Sequence, residues 1–126
     1  MSQVRVRYIV QDVEEAIAFY TRVLDFTVDF HPAPGFAALS RGPLRLLINQ
    51  PGAGGAGTQT GEIAPAPGGW NRFQMEVDDL AATVERLKAE GCVFRSGIVK
   101  GNGGDQILLE DPSGNPVELF QPAQRS

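Results

Sequence analysis

The sequence predicts an α+β protein of two tandem βαβββ modules that form cup-shaped, curved mixed sheets. Two internal matches carry this expectation. The stretch Val10-Gln11-Asp12-Val13, which opens an amphipathic segment, returns as Val77-Asp78-Asp79-Leu80, 67 positions later. Each copy starts in a strand-like segment and ends in an apolar run closed by Gln-Pro, at Gln50-Pro51 and Gln121-Pro122. A repeat at this spacing marks a duplicated supersecondary unit. At 126 residues the chain suits one compact domain with a real core, since a domain of this size buries roughly two thirds of its unfolded surface. We therefore read residues 1–126 as one domain, with modules at 3–50 and 70–122 and a connector at 51–69.

The first module opens with a strand from Val4 to Val10, whose alternation sets Val4, Val6, Tyr8 and Val10 on one face and Arg5, Arg7 and Ile9 on the other. Asp12 then caps a helix, with Glu15 completing a capping-box pattern and Val13, Ala16, Ile17, Tyr20, Val23 and Leu24 forming an apolar stripe. Glu14 and Glu15 read as first-turn carboxylates that favour the helix dipole. Strands are predicted at Phe26 to Phe30, Gly35 to Leu39 and Leu44 to Asn49, separated by Pro32, Pro34 and Gly35 and by Arg41-Gly42-Pro43.

The second module repeats the order. A strand from Arg72 to Val77 leads to a helix capped by Asp79, with Leu80, Val84 and Leu87 inward and an end at Gly91. Strands at Cys92 to Arg95, Gln106 to Glu110 and Pro116 to Gln121 complete it. The Gly/Ala/Pro-rich connector has weak structural preference. Modules so joined can pair within a chain or swap between chains, and the sequence leaves both open. Gly52, Gly54 and Gly57 in the connector satisfy G-x-G-x-x-G, but Pro65 and Pro67 follow where a dinucleotide fingerprint must open a helix, so a flexible connector is expected instead.

Composition removes several function classes. A net charge of -4 without a Lys/Arg-rich run argues against nucleic acid. No apolar stretch approaches the roughly 18 residues of a membrane span, and Met1-Ser2-Gln3 leads straight into a strand pattern, so the expected location is cytoplasmic. Cys92 is the single cysteine and is expected to be a small buried apolar residue. His31, the single histidine, is expected at the surface or in a turn beside Pro32, away from any ligand set.

Three motifs carry a family resemblance: Asp111-Pro112-Ser113-Gly114-Asn115-Pro116-Val117-Glu118-Leu119, Phe19-Tyr20-x-x-Val23-Leu24-x-Phe26, and Glu76-Val77-Asp78-Asp79-Leu80. In these the chain resembles the vicinal oxygen chelate superfamily of glyoxalase I, extradiol dioxygenases, fosfomycin-resistance enzymes and bleomycin-binding proteins. The resemblance covers the chain apart from the connector and implies the fold far more than the activity, because this scaffold hosts unrelated chemistries. In metal-dependent members the ligands come from the opening strand of each module and from a module's last strand. The resemblance carries those four positions onto Arg5, Arg72, Leu47 and Glu118. A guanidinium has no lone pair for a metal, so one ligand of the four remains, and no metal or other cofactor is expected. A divalent ion on a non-standard ligand set is the alternative.

Alternation places Arg5 and Arg7, then Arg45, Leu47 and Asn49, then Arg72, Gln74 and Glu76, and finally Pro116, Glu118 and Phe120 on faces lining the implied cup. If the modules pair as in the family, Arg5 and Arg72 flank Glu118. That cluster is either an inert replacement for a metal or a site where arginines bind an anionic group, with Leu47, Phe120 and Trp70 adding apolar and aromatic contact. Trp70 serves equally well as packing at the module junction.

Two function classes follow. One is a metal-free protein that sequesters a small anionic or polar-aromatic molecule, with Arg5, Arg7, Arg45, Leu47, Trp70, Arg72, Gln74, Glu118 and Phe120 as ligand-binding residues. The other is a lyase-, isomerase- or dioxygenase-type enzyme with Glu118 as catalytic acid or base or with a displaced metal site. Flanking cations stabilise a carboxylate and weaken it as a base, which favours binding, and glyoxalase I activity is not expected. A homodimer is expected because open modules leave edges and concave faces that pairing would cover.

Overall fold

The computed structural model describes residues 3–53 and 65–124. The chain divides into two compact units, Met1–Gly68 and Gly69–Ser126. The first holds β1 (Arg5–Ile9), α1 (Val13–Leu24), β2 (Thr27–Ala33), β3 (Phe36–Arg41) and β4 (Leu44–Asn49). The second holds β5 (Gln74–Glu76), α2 (Leu80–Ala89), β6 (Val93–Phe94), β7 (Val99–Lys100), β8 (Gly104–Glu110) and β9 (Pro116–Pro122).

Helix α1 begins where its sequence predicts. Asp12 is extended and its carboxylate accepts the Glu15 amide proton at 3.1 Å, satisfying a donor that has no partner within the helix. Val13, Ala16, Phe19, Tyr20, Val23 and Leu24 are buried at helical spacing. Phe19 takes a core position the predicted stripe left out, while Ile17, included in it, is half-buried. The helix stops at Asp25, which adopts the left-handed conformation at φ 62°, and the next amide, of Phe26, donates to the Tyr20 carbonyl at 2.9 Å. The Tyr20 ring meets both Phe19 and Phe26 edge to face.

The strand order of this unit is β1-β4-β3-β2. β1 runs parallel to β4, with Arg5 opposite Arg45 and Arg7 opposite Leu47. β3 is antiparallel to β4, with Ala38 opposite Leu47. Period-two alternation sends Ala37, Leu39, Leu46 and Ile48 into the core, and leaves Ala38, Arg45 and Leu47 on the opposite face. Every residue of β2 is exposed, and its pairing with β3 is interrupted by two register breaks.

The second unit repeats the plan with order β5-β9-β8-β6, and β7 also pairs with β8. β5 is parallel to β9, with Gln74 opposite Glu118, so Glu118 holds the register position that Leu47 holds in the first unit. Asp79 caps α2 by accepting the Ala82 amide proton at 3.0 Å. Gly91, at φ 83°, ends it, with its amide bonded to Lys88 and that of Cys92 to Leu87, the pattern of a Schellman motif. Asp111 secures the β8–β9 turn. Its Oδ1 accepts the amide protons of Ser113 and Asn115, each at 2.9 Å, and its Oδ2 accepts from the Asn115 side chain at 3.0 Å.

The structure departs from expectation at several points. The strand foreseen at Cys92 to Arg95 is shortened to β6, and β7 follows it unforeseen, because Ser96-Gly97 interrupts the alternation. The strand foreseen from Arg72 reaches regular pairing only at Gln74. Val4 is 82% exposed rather than inward, since it precedes the first paired residue. Cys92 is half-buried, not enclosed. His31 lies on the surface as expected, though inside β2, with Nε2 3.3 Å from a carboxylate oxygen of Glu14. Gly54 and Gly57 of the glycine motif, with the rest of the connector from 54 to 64, lie outside the described residues.

Candidate functional site

The second unit gathers three of the residues singled out in the sequence. Arg72 meets Glu118 through Nε and Nη2, both 3.0 Å from Oε1. Gln74 donates from Nε2 to Oε2 at 2.7 Å. Both carboxylate oxygens are thus engaged, and the Glu118 side chain is only 9% exposed. The parallel pairing of β5 and β9 dictates this, because it sets Gln74 directly beside Glu118. Arg72 also donates from Nη1 to the Trp70 carbonyl at 3.1 Å. Charge-assisted bonds of this kind are among the stronger polar contacts in proteins.

The first unit holds an open cleft of about 410 Å³ on the sheet face opposite α1. Arg5, Arg45 and Leu47, three of the residues assigned to the cup face, line it together with Gln3, Asp29, Phe30, Phe36 and Ala38. Those five escaped the sequence reading. Phe36 and Ala38 alternate with the buried Ala37, so period two alone could have placed them beside Leu47. Asp29 and Phe30 enter through the register of β2, which no local pattern reports. Of the described residues, Arg5 donates only to Gln3, at 3.4 Å, and Arg45 only to the Gly42 carbonyl, at 3.3 Å. Among the described residues neither guanidinium has an ion-pair partner. Asp29 accepts from the Ser40 hydroxyl at 3.0 Å.

The side chains of the remaining expected residues have other partners. Arg7 is tied to the buried Asn49, Nη1 to Oδ1 at 2.6 Å. Phe120 is half-buried and its ring lies against Gly104. Trp70 is 68% exposed and stacks on the Arg95 guanidinium, 4.6 Å from the ring centroid. Arg95 further bonds Glu110 at 2.8 Å, the Gly69 carbonyl at 2.7 Å and the Gly114 carbonyl at 2.8 Å. Sequence reading did not single out Arg95.

Comparison with known proteins assigns the chain. Residues 2–119 match the family model of the Glyoxalase/Bleomycin resistance protein/Dioxygenase superfamily. The chain belongs to this superfamily. Solved structures agree on the fold. A superfamily member from Sphaerobacter thermophilus is 22% identical, with a TM-score of 0.77 over 96% of this chain and 98% of that one. TnmS3, an antibiotic binding protein from Streptomyces, is 23% identical, with a TM-score of 0.74 over 98% of both chains. Lactoylglutathione lyase from Agrobacterium tumefaciens is 20% identical, with a TM-score of 0.74 over 95% of this chain and 92% of that one. No curated protein matches the sequence.

At the four positions that the family resemblance assigns to metal ligands, the residues of this chain do not fit a divalent metal. Arg5, Arg72 and Leu47 offer it no lone pair, and both oxygens of Glu118 are engaged by Arg72 and Gln74. Among the described residues no group of three His, Cys, Asp or Glu side chains is placed to hold an ion. No described helix is long and apolar enough to cross a membrane.

Proposed function

We propose that this protein binds a small anionic or polar-aromatic molecule without a metal, in the arginine-lined cleft of its first unit, and acts by sequestration. The cleft itself is the observation that carries this reading: two guanidiniums without ion-pair partners among the described residues stand beside Phe30, Phe36 and Leu47 in an open space of about 410 Å³. That volume suits a small molecule, and apolar walls with a few placed polar groups are the usual make-up of such sites. Glu118 is given a supporting role, since both of its oxygens already accept bonds from Arg72 and Gln74 and its side chain is only 9% exposed. A second copy of the chain is the proposed partner. Val93 on β6 and Val99 on β7, both exposed on strands that pair with β8, support such an association.

The test is a thermal-shift screen of aromatic acids, neutral aromatics and aliphatic acids, with product analysis of every compound that stabilises the protein. Stabilisation by returned, unchanged compounds supports sequestration. Turnover that is lost in Glu118→Gln would overturn it in favour of an enzyme.

A further inference from the structure

We infer that Arg5 and Arg45 form a two-armed seat for one oxyanion, so that the ligand is an aromatic molecule carrying a carboxylate or a phosphoryl group. This rests on the proposal that the cleft of the first unit is the binding site, and names what that site selects.

The two arginines are register partners on adjacent parallel strands, and neighbouring strands lie about 4.8 Å apart. Both side chains line the same cleft. Like charges directly opposite one another in a sheet are unfavourable, and among the described residues neither guanidinium forms an ion pair, the Asp29 carboxylate of the same cleft accepting from Ser40. Each guanidinium has one long contact to a neutral oxygen, and most of its five donors remain available. The next pair along the same face shows the contrast. There Arg7 stands opposite the uncharged Leu47, so no cation faces it, and its Nη1 makes a short bond to buried Asn49 at 2.6 Å. The second unit shows it again, since Arg72 is satisfied by Glu118. Arg5 and Arg45 are therefore two cations held side by side over an apolar floor. A carboxylate or phosphoryl group with two or three oxygens satisfies both at once by charge-assisted bonds. Phe30 and Phe36, on β2 and β3 of the same cleft, offer ring faces and edges for the body of the ligand.

The experiment is a nuclear magnetic resonance titration of the full chain with benzoate and with its uncharged analogue benzamide. Benzoate is expected to shift the amide signals of Arg5, Ala38, Arg45 and Leu47 and to bind at least about tenfold tighter than benzamide, the difference that one charge-assisted bond provides. That preference is expected to shrink as salt is raised, because the seat is open to solvent and its charges are screened. Arg45→Gln should bind the two probes alike, and Arg45→Lys should recover part of the preference by restoring charge without the planar fork. Equal binding of both probes to the unaltered protein, at low salt and high, would overturn the anion seat and leave the cleft as a site for neutral aromatics. If neither probe shifts a cleft residue, both the seat and the proposed binding function fall.

Discussion

Gln121 caps the helix that begins at Leu80: its side-chain oxygen accepts the Leu80 amide proton at 2.7 Å. The first unit repeats the device, with Gln50 accepting from Val13 at 3.2 Å. The residue that closes the last strand of each unit thus ties that strand to the first turn of its helix. Gln121→Ala is expected to lower unfolding free energy by about 1 kcal/mol, the usual worth of a cap, and Gln50→Ala by less, since its bond is longer. Urea denaturation of the two variants measures both.

Removing Arg72 leaves the Glu118 carboxylate buried without its cation. Arg72→Ala is expected to destabilise the protein by about 2 kcal/mol, less than a fully enclosed pair because the arginine is part-exposed. Glu118→Gln should cost about 1 kcal/mol, since a neutral amide still accepts one bond. It should also leave benzoate affinity unchanged. Chemical denaturation with a parallel binding titration checks both parts.

Trp70 reports on Arg95. Trp70 is the single tryptophan of the chain and sits on a guanidinium that also grips two backbone carbonyls and Glu110. A lysine cannot reproduce a planar fork with so many partners. Arg95→Lys is expected to red-shift Trp70 fluorescence and to cost about 1–2 kcal/mol.

Asp25 bears a left-handed backbone at φ 62°, a conformation glycine adopts without steric penalty. Asp25→Gly is expected to raise stability by about 0.5–1 kcal/mol, with the greater freedom of the unfolded glycine chain offsetting part of the gain. Asp25→Ala should lower it. Thermal melts of the three proteins give the order.

Dialysis against manganese, nickel, zinc or iron(II) is expected to leave no stoichiometric metal by mass spectrometry. Isomerase activity on the methylglyoxal–glutathione adduct should be absent with or without these ions. Metal-stimulated turnover would show that a donor set other than Arg5, Leu47, Arg72 and Glu118 assembles in this chain.

Local physics made most of the fold legible. Asp12, Asp79 and the apolar stripes behind them signal helices through contacts within one turn, and the duplication linked Glu118 to Leu47 as equivalent positions before any register was known. The site was legible only in part. Arg5, Arg45 and Leu47 could be placed on one face by alternation, but the pairing of Arg5 with Arg45 depends on the register between strands 40 residues apart. Asp29 and Phe30 were lost because β2 is exposed on both faces and its register breaks against β3 leave no mark in the local sequence. Arg95 was lost because its partners, Gly69, Trp70, Glu110 and Gly114, come from three separate stretches of chain.

Strand β2 also bears on how the protein behaves at high concentration. Lying last in its sheet among the described residues, it has one side with no neighbouring described strand, the kind of border that recruits further strands into fibres. Pro32 leaves the strand one amide donor short, Asp29 adds a charge to it, and the breaks between Val28 and Phe30 and between Phe30 and Ala33 keep it from lying flat. An incoming chain finds no regular ladder to extend there, so the same strand can expose Phe30 to a ligand without seeding precipitation.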